Sequence, residues 1–185
     1  RDGLPKTGRG TKKEPEEPNV PLELEGALES LYSHYKKVYQ EWESDTNALD
    51  KGSTPPVFIV VCNNTNVSRM VYNHISGWEK ILPDGTPRLV PGKLDLFNNV
   101  SDGHWLARPR TILVDSEQLD SEEGMSSDFK KIAKTEIDQF KAEYRMRFPG
   151  RDSNDLNDED ILREVMNTVG KPGKLGEQVR CVVSV

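Results

Sequence analysis

The sequence predicts an α/β fold: a parallel sheet with helices on both faces, preceded by an N-terminal helix. Two observations carry this. The runs Val57–Val61, Thr111–Val114 and Val179–Val185 are apolar and rich in β-branched residues without polar alternation, as in strands buried on both sides. The segments between them repeat apolar residues at steps of three and four, the spacing of amphipathic helices that cross over between parallel strands.

Taken in order, residues 1–20 lack periodicity and are rich in Gly, Pro and charge, so a linker or disordered tail is expected there. Residues 21–50 lead into the domain. Over Pro21 to Asp45, the positions Leu28, Leu31, Tyr32, Tyr35, Val38, Tyr39 and Trp42 form one aromatic stripe on a long helix, expected to pack against a core. The loop ending Ser53-Thr54-Pro55-Pro56 opens the main unit, residues 51–185. A first strand over 57–62 follows, then a helix to Ser76 with Val67, Met70, Val71, His74 and Ile75 inward and Gly77 as its stop. The polar stretch from about 78 to 110 predicts an insertion resembling a hairpin, with a turn at Pro83-Asp84-Gly85 and a short strand over Lys93–Phe97.

A second strand, Thr111–Val114, leads to an acidic loop. Ser127 or Asp128 is placed as the cap of a third helix carrying Phe129, Ile132, Ala133, Ile137, Phe140 and Tyr144, broken by Pro149-Gly150. Asn157 caps a fourth, with Ile161, Leu162, Val165, Met166 and Val169 on one face and Gly170 as its stop. The final strand is 179–185. The chain begins at Arg1 and ends on an unpunctuated apolar run, which suggests a truncated piece of a longer protein.

Composition limits the function classes. The net charge of −6 argues against a general nucleic-acid binder, yet it is unevenly spread. Residues 51–111 carry seven basic and four acidic side chains, and 112–160 carry seven and fourteen, so any phosphate-facing surface belongs to the first region. No apolar run is long enough to span a membrane, and no signal peptide is visible. Cys62 and Cys181 fall in apolar runs, which favours buried thiols and a cytoplasmic setting.

The most polar junction is Cys62-Asn63-Asn64-Thr65-Asn66, where the first strand turns into a helix. The first N–H groups of a helix lack intrahelical acceptors and its dipole is positive there, so an anion is favoured. Asn64, Thr65, Asn66, Ser68 and Arg69 could add side-chain donors to phosphate oxygens. Ordinary helix capping needs only one of them, and residue types alone leave both readings open.

Thr111 to Asp115 looks like a magnesium-holding strand of a P-loop ATPase, but no G-x-x-x-x-G-K-[ST] is present. The nearest similar runs, Gly8 to Lys12 and Gly170 to Lys174, have the wrong spacing. Asp115, Glu117, Asp120, Glu122 and Glu123 fit a solvated loop better than a metal site. His34, His74 and His104 have no metal-ligand spacing, and Ser68 and Ser184 lack a nucleophile elbow. No catalytic set is complete, and no catalytic or metal residue is assigned.

Three blocks, VFIVVCNNTNVSRMVYNHISG, RTILVDSEQLDS and DEDILREVMNTVGKPGKLGEQVRCVVSV, resemble the restriction subunit of type III restriction enzymes and close relatives. The resemblance covers roughly Leu22 to Val185. It implies a partial second RecA-like lobe of a superfamily-two helicase motor. Val57 to Arg69 would correspond to helicase motif IV, which lies against the nucleic-acid backbone, and Val179 to Val185 to the strand leading into motif V. Asn64, Thr65, Asn66, Ser68 and Arg69 would thus be nucleic-acid-binding residues. The implied parent hydrolyses ATP with Mg between two lobes, translocates DNA and has an endonuclease domain elsewhere. Its partners would be DNA, the first lobe of the same chain and a DNA methyltransferase subunit; this piece alone would hold no cofactor and be inactive. The alternative is a free-standing Rossmann-like module whose Asn63–Asn66 turn holds a small phosphorylated ligand.

Overall fold

The computed structural model describes residues 18–45, 53–114, 134–150, 152 and 156–185. The N-terminal tail, the acidic run Asp115 to Glu123 and the expected cap at Ser127 or Asp128 lie outside the described residues, as do Phe129, Ile132 and Ala133. Helix α1 spans Leu22–Ser44, strand β1 Phe58–Val61, helix α2 Thr65–Ser76, and strands β2 and β3 Gly77–Ile81 and Pro87–Pro91. A 3-10 turn at Asp95–Phe97 precedes strands β4 (Val100–Ser101), β5 (His104–Trp105) and β6 (Thr111–Val114). Helices α3 (Lys134–Arg147) and α4 (Asp158–Asn167) lead to strand β7 (Cys181–Ser184).

The expected parallel sheet is present, with three strands in the order β1-β7-β6; β1 differs from the expectation of a strand buried on both sides, since Ile59 and Val61 on this edge strand are exposed. Phe58 pairs with Cys181, which pairs in turn with Thr111; at the other end Val61, Ser184 and Val114 are aligned. The last strand is therefore the middle one. The path from β1 to β6 skips a position, and the path from β6 to β7 returns to fill it. Right-handed crossovers running in opposite directions put their helices on opposite faces.

One face is covered by α1 and α2. Leu28, Tyr32 and Tyr35 of α1 and Val67, Val71 and Ile75 of α2 pack with Leu94, Phe97, Leu113, Cys181 and Val183. Phe97 is the hub: its ring lies 5.2 Å from Tyr32, 4.7 Å from Tyr35 and 5.2 Å from Phe58, centroid to centroid. Such contacts add about 0.5–1.5 kcal/mol each beyond burial. The tyrosine hydroxyls are used as well. Tyr35 donates to the Pro56 carbonyl at 3.0 Å, and Tyr32 accepts from the Leu96 N–H at 2.9 Å. The expectation that α1 packs against a core is thus met, on this sheet. Leu31 and Val38 differ: they are exposed, because the stripe runs through 28, 32, 35 and 39 and leaves them on the outer side.

The buried residues of the opposite face are aliphatic, with Phe140 packed against them. Ile137 of α3 and Ile161, Leu162 and Val165 of α4 cover Ile112 and Val179. Asn157 caps α4 as expected, accepting from the Asp160 N–H at 3.0 Å, while the Asp160 carboxylate accepts from the Asn157 N–H at 3.1 Å. Met166, expected on the inner face, is exposed. Beyond α4 the chain folds back so tightly that a side chain at Gly176 would meet the Val165 carbonyl at 2.1 Å.

The insertion contains the expected hairpin, β2 with β3, around Pro83-Asp84-Gly85. Lys93–Phe97 is not a strand. Leu94 and Phe97 are both buried, a spacing of three that a 3-10 turn satisfies and an alternating strand does not; the Phe97 N–H donates to the Leu94 carbonyl at 2.9 Å. Gly77 ends α2 at φ 103°, and the turn there feeds directly into β2. Asn99 then acts as a substitute strand against the outer edge of β6. Its amide donates to the Thr111 carbonyl at 2.8 Å and accepts from the Arg110 and Thr111 N–H groups at 2.8 and 3.0 Å.

Candidate functional site

The three parallel strands end together, and the polar turn sits at that carboxyl edge. The Cys62 N–H donates to the Ser184 carbonyl at 2.8 Å, extending the ladder by one residue before the chain leaves the sheet. Asn64 is extended, at φ −164° and ψ 164°, and caps α2: its side-chain oxygen accepts from the Val67 N–H at 2.9 Å. Its amide nitrogen donates to the Asn63 side-chain oxygen at 2.9 Å, which fixes the orientation of both side chains. Capping is therefore real, and it uses one Asn.

The cap leaves donors over. Val67 is taken by the cap, and the Ser68 N–H bonds the Asn64 carbonyl at 3.0 Å. Among the described residues nothing accepts from the N–H groups of Thr65 or Asn66. No acidic residue stands in the first turn of α2, whereas α1 has Glu23 and Glu25 there. The positive end of the α2 dipole is consequently unscreened by any carboxylate of its own helix.

The five residues singled out in the sequence divide by exposure. Asn66 and Arg69 are exposed, and Asn64 and Thr65 are half-buried. Ser68 is fully buried, and its hydroxyl donates to the Thr65 carbonyl at 2.9 Å. It therefore differs from the expectation of a surface donor. A serine one turn into a helix can bond back to the helix's own carbonyls, and here it lies on the core side with Val67 and Val71. Arg69 stands one turn beyond Thr65 and already takes part in an interaction within the chain, so it is a held cation rather than an idle one.

Cys62 and Cys181 are free thiols, and burial pushes both upward, Cys181 to about 12. Neither is a thiolate nucleophile at neutral pH. His74 of α2 lies 5 % exposed on the side facing α1; among the described residues its Nε2 has no hydrogen-bond partner, and it stands 4.0 Å from a Glu25 carboxylate oxygen, too long for a bond. Burial lowers its pKa, the carboxylate of Glu25 opposing that shift. Among the described residues no group of three His, Cys, Asp or Glu side chains converges as metal ligands. No described helix is long and apolar enough to cross a membrane.

Sequence reasoning missed a second polar feature at the opposite, amino edge of the sheet. Lys36, Arg110 and Arg180 line a cavity of about 310 Å³ there. They come from α1 and from the residues just before β6 and β7, and no local motif links positions so far apart.

No protein-family model, no curated protein and no solved structure matches this chain.

Proposed function

We propose that the chain forms part of the second RecA-like lobe of an ATP-dependent DNA translocase, in a parent similar to the restriction subunit of type III restriction enzymes. In this reading Thr65, Asn66 and Arg69 contact the phosphate backbone of DNA. Asn64 holds the turn in shape, and Ser68 stiffens the first turn from within. The same carboxyl edge supplies one wall of a cleft whose other wall, with the phosphate loop, belongs to a first lobe. ATP and Mg bind there in the parent, and phosphoryl transfer depends on charges placed from both sides.

One observation supports this most: the capped turn at the carboxyl edge of a parallel sheet retains two N–H donors, an exposed Asn and an exposed Arg beside an unscreened helix dipole. Ligands of open α/β sheets bind at that edge. Asn63 and Asn66 lie outward, so a phosphate chain can approach without rearrangement of the core.

The test compares the parent protein with an Asn66→Ala, Arg69→Gln variant, both changes on exposed side chains. DNA-stimulated ATP hydrolysis is expected to fall about tenfold or more, while ATP binding without DNA stays unchanged. The slope of log affinity against log salt should shrink by about 1 with the loss of the Arg69 contact. Unaltered stimulation and slope would rule out the backbone-contact role.

A further inference from the structure

The cavity at the amino edge of the sheet has a composition opposite to that of the chain as a whole. The chain carries 31 acidic against 25 basic residues, yet among the described residues the cavity brings Lys36, Arg110 and Arg180 together with one carboxylate, Glu43. Three cations around one small space repel each other unless an anion joins them. Among the described residues no ion pair involves any of the three.

The two arginines are fixed by the register of the sheet. Each stands one residue before a strand, and those strands are paired with Thr111 opposite Cys181. The Arg180 N–H donates to the Arg110 carbonyl at 2.7 Å, so the two side chains leave adjacent points of the backbone. Both guanidinium groups are then held by carbonyl oxygens. Arg180 Nη1 donates to Glu177 and Val179 at 2.6 and 3.1 Å, and Arg110 Nη1 donates to Asp95 at 3.4 Å. Among the described residues these bonds use Nη1 alone, and neither Nε nor Nη2 of the two arginines donates a hydrogen bond. The Arg180 guanidinium also lies 5.7 Å over the Tyr39 ring, which limits its motion further. Lys36 lines the cavity from α1, one turn before Tyr39, with its ammonium 5.9 Å over the Tyr32 ring, and Leu96 lines it as well.

We infer that this cavity is a binding site for a compact phosphate-bearing anion of two or more charges. Its volume, about 310 Å³, lies at the small end of ligand pockets, which favours a small ester or a pyrophosphate group over a polymer. The carbonyl anchors hold the guanidinium groups in place before the ligand arrives, so little side-chain freedom is lost on binding. The sheet strands are four residues long, which puts this site about 13 Å from the carboxyl-edge turn. It shares no residue with that turn and does not depend on the translocase reading.

Sodium pyrophosphate is the probe, titrated into the 185-residue chain with sodium chloride at matched ionic strength as control. At ten times its Kd, pyrophosphate should raise Tm by about 3–6 °C over the chloride control. Arg110→Gln and Lys36→Gln, the second at a side chain whose ammonium lies 5.9 Å over the Tyr32 ring, should each weaken calorimetric binding about tenfold or more. Arg88→Gln on the exposed hairpin should leave it unchanged. Arg180→Gln removes two backbone anchors and can lower stability by itself, so the first two variants decide the matter. A pyrophosphate effect no larger than chloride, or binding that survives the Lys36, Arg110 double variant, overturns the proposal. An equal loss with Arg88→Gln also overturns it, since that marks diffuse attraction.

Discussion

The two faces of the sheet are built on different principles. The face under α1 and α2 is aromatic and cross-linked: Tyr32, Tyr35, Phe58 and Phe97 form one cluster, and two tyrosine hydroxyls tie it to backbone groups outside the cluster. The face under α3 and α4 is aliphatic and closed by backbone contact, with Gly176 against Val165 and the Thr168 hydroxyl accepting from the Gly176 N–H at 3.0 Å. The first face also carries the candidate interface, since α2 is the helix whose N-terminus the polar turn caps. Helix α2 itself meets that face through Val67, Val71 and Ile75, and the aliphatic face covers β6 and β7 while Ile59 and Val61 of β1 stay exposed.

The strongest challenge to this contrast is removal of the hub. Phe97→Ala should cost about 3–5 kcal/mol, and Leu162→Ala on the aliphatic face about 2–5 kcal/mol. Because β7 sends Cys181 and Val183 to one face and Val182 to the other, both variants should still unfold in a single transition. Two separated transitions in urea, followed by circular dichroism, would mean the faces are independent units.

A smaller effect distinguishes the helix starts. Asn64→Ala and Asn157→Ala should each cost about 1 kcal/mol. They should differ in how a second change combines with them: Asn157 shares a reciprocal box with Asp160, whereas α2 has no first-turn carboxylate. Asn157→Ala and Asp160→Ala should therefore lower the urea midpoint by less than the sum of their separate effects, since each removes half of one box. Strictly additive losses would contradict the assigned capping geometry.

The smallest effect is confined to the aromatic face. Burial holds the His74 pKa below 6.5, against the pull of Glu25 and Glu29 and helped by Lys93. The unfolded chain then takes up the proton first, so stability is flat above about pH 6.5 and falls as the pH drops below it. His74→Gln should flatten that fall, measured as the urea midpoint between pH 5 and pH 7.5. A slope that survives the substitution assigns the acid sensitivity elsewhere.

Much of the fold was legible because it is locally encoded. Strand runs, the hairpin turn at Pro83-Asp84-Gly85 and the Asn157 cap each depend on residues a few positions apart. The misses are equally physical. Lys93–Phe97 reads as a short strand until Leu94 and Phe97 must both reach the same aromatic cluster, and then a 3-10 turn wins. Leu31, Val38 and Met166 show that an apolar residue near a stripe need not belong to it. Of the candidate interface, the sequence revealed the residue types and their place at a strand-to-helix junction. It could not separate Ser68, whose side chain turns inward, from Asn66 and Arg69, which stay at the surface.

By itself, then, the amino-acid order determined the α/β class, the positions of the parallel strands and the crowding of short polar side chains after β1. Tertiary structure alone decided that β7 lies between β1 and β6, that α1 docks on this sheet, and that Lys36, Arg110 and Arg180 meet around one cavity. The reason is the range of the forces. Periodicity and capping act within a turn or two of chain, whereas strand order and the gathering of distant cations follow from how whole faces are buried together.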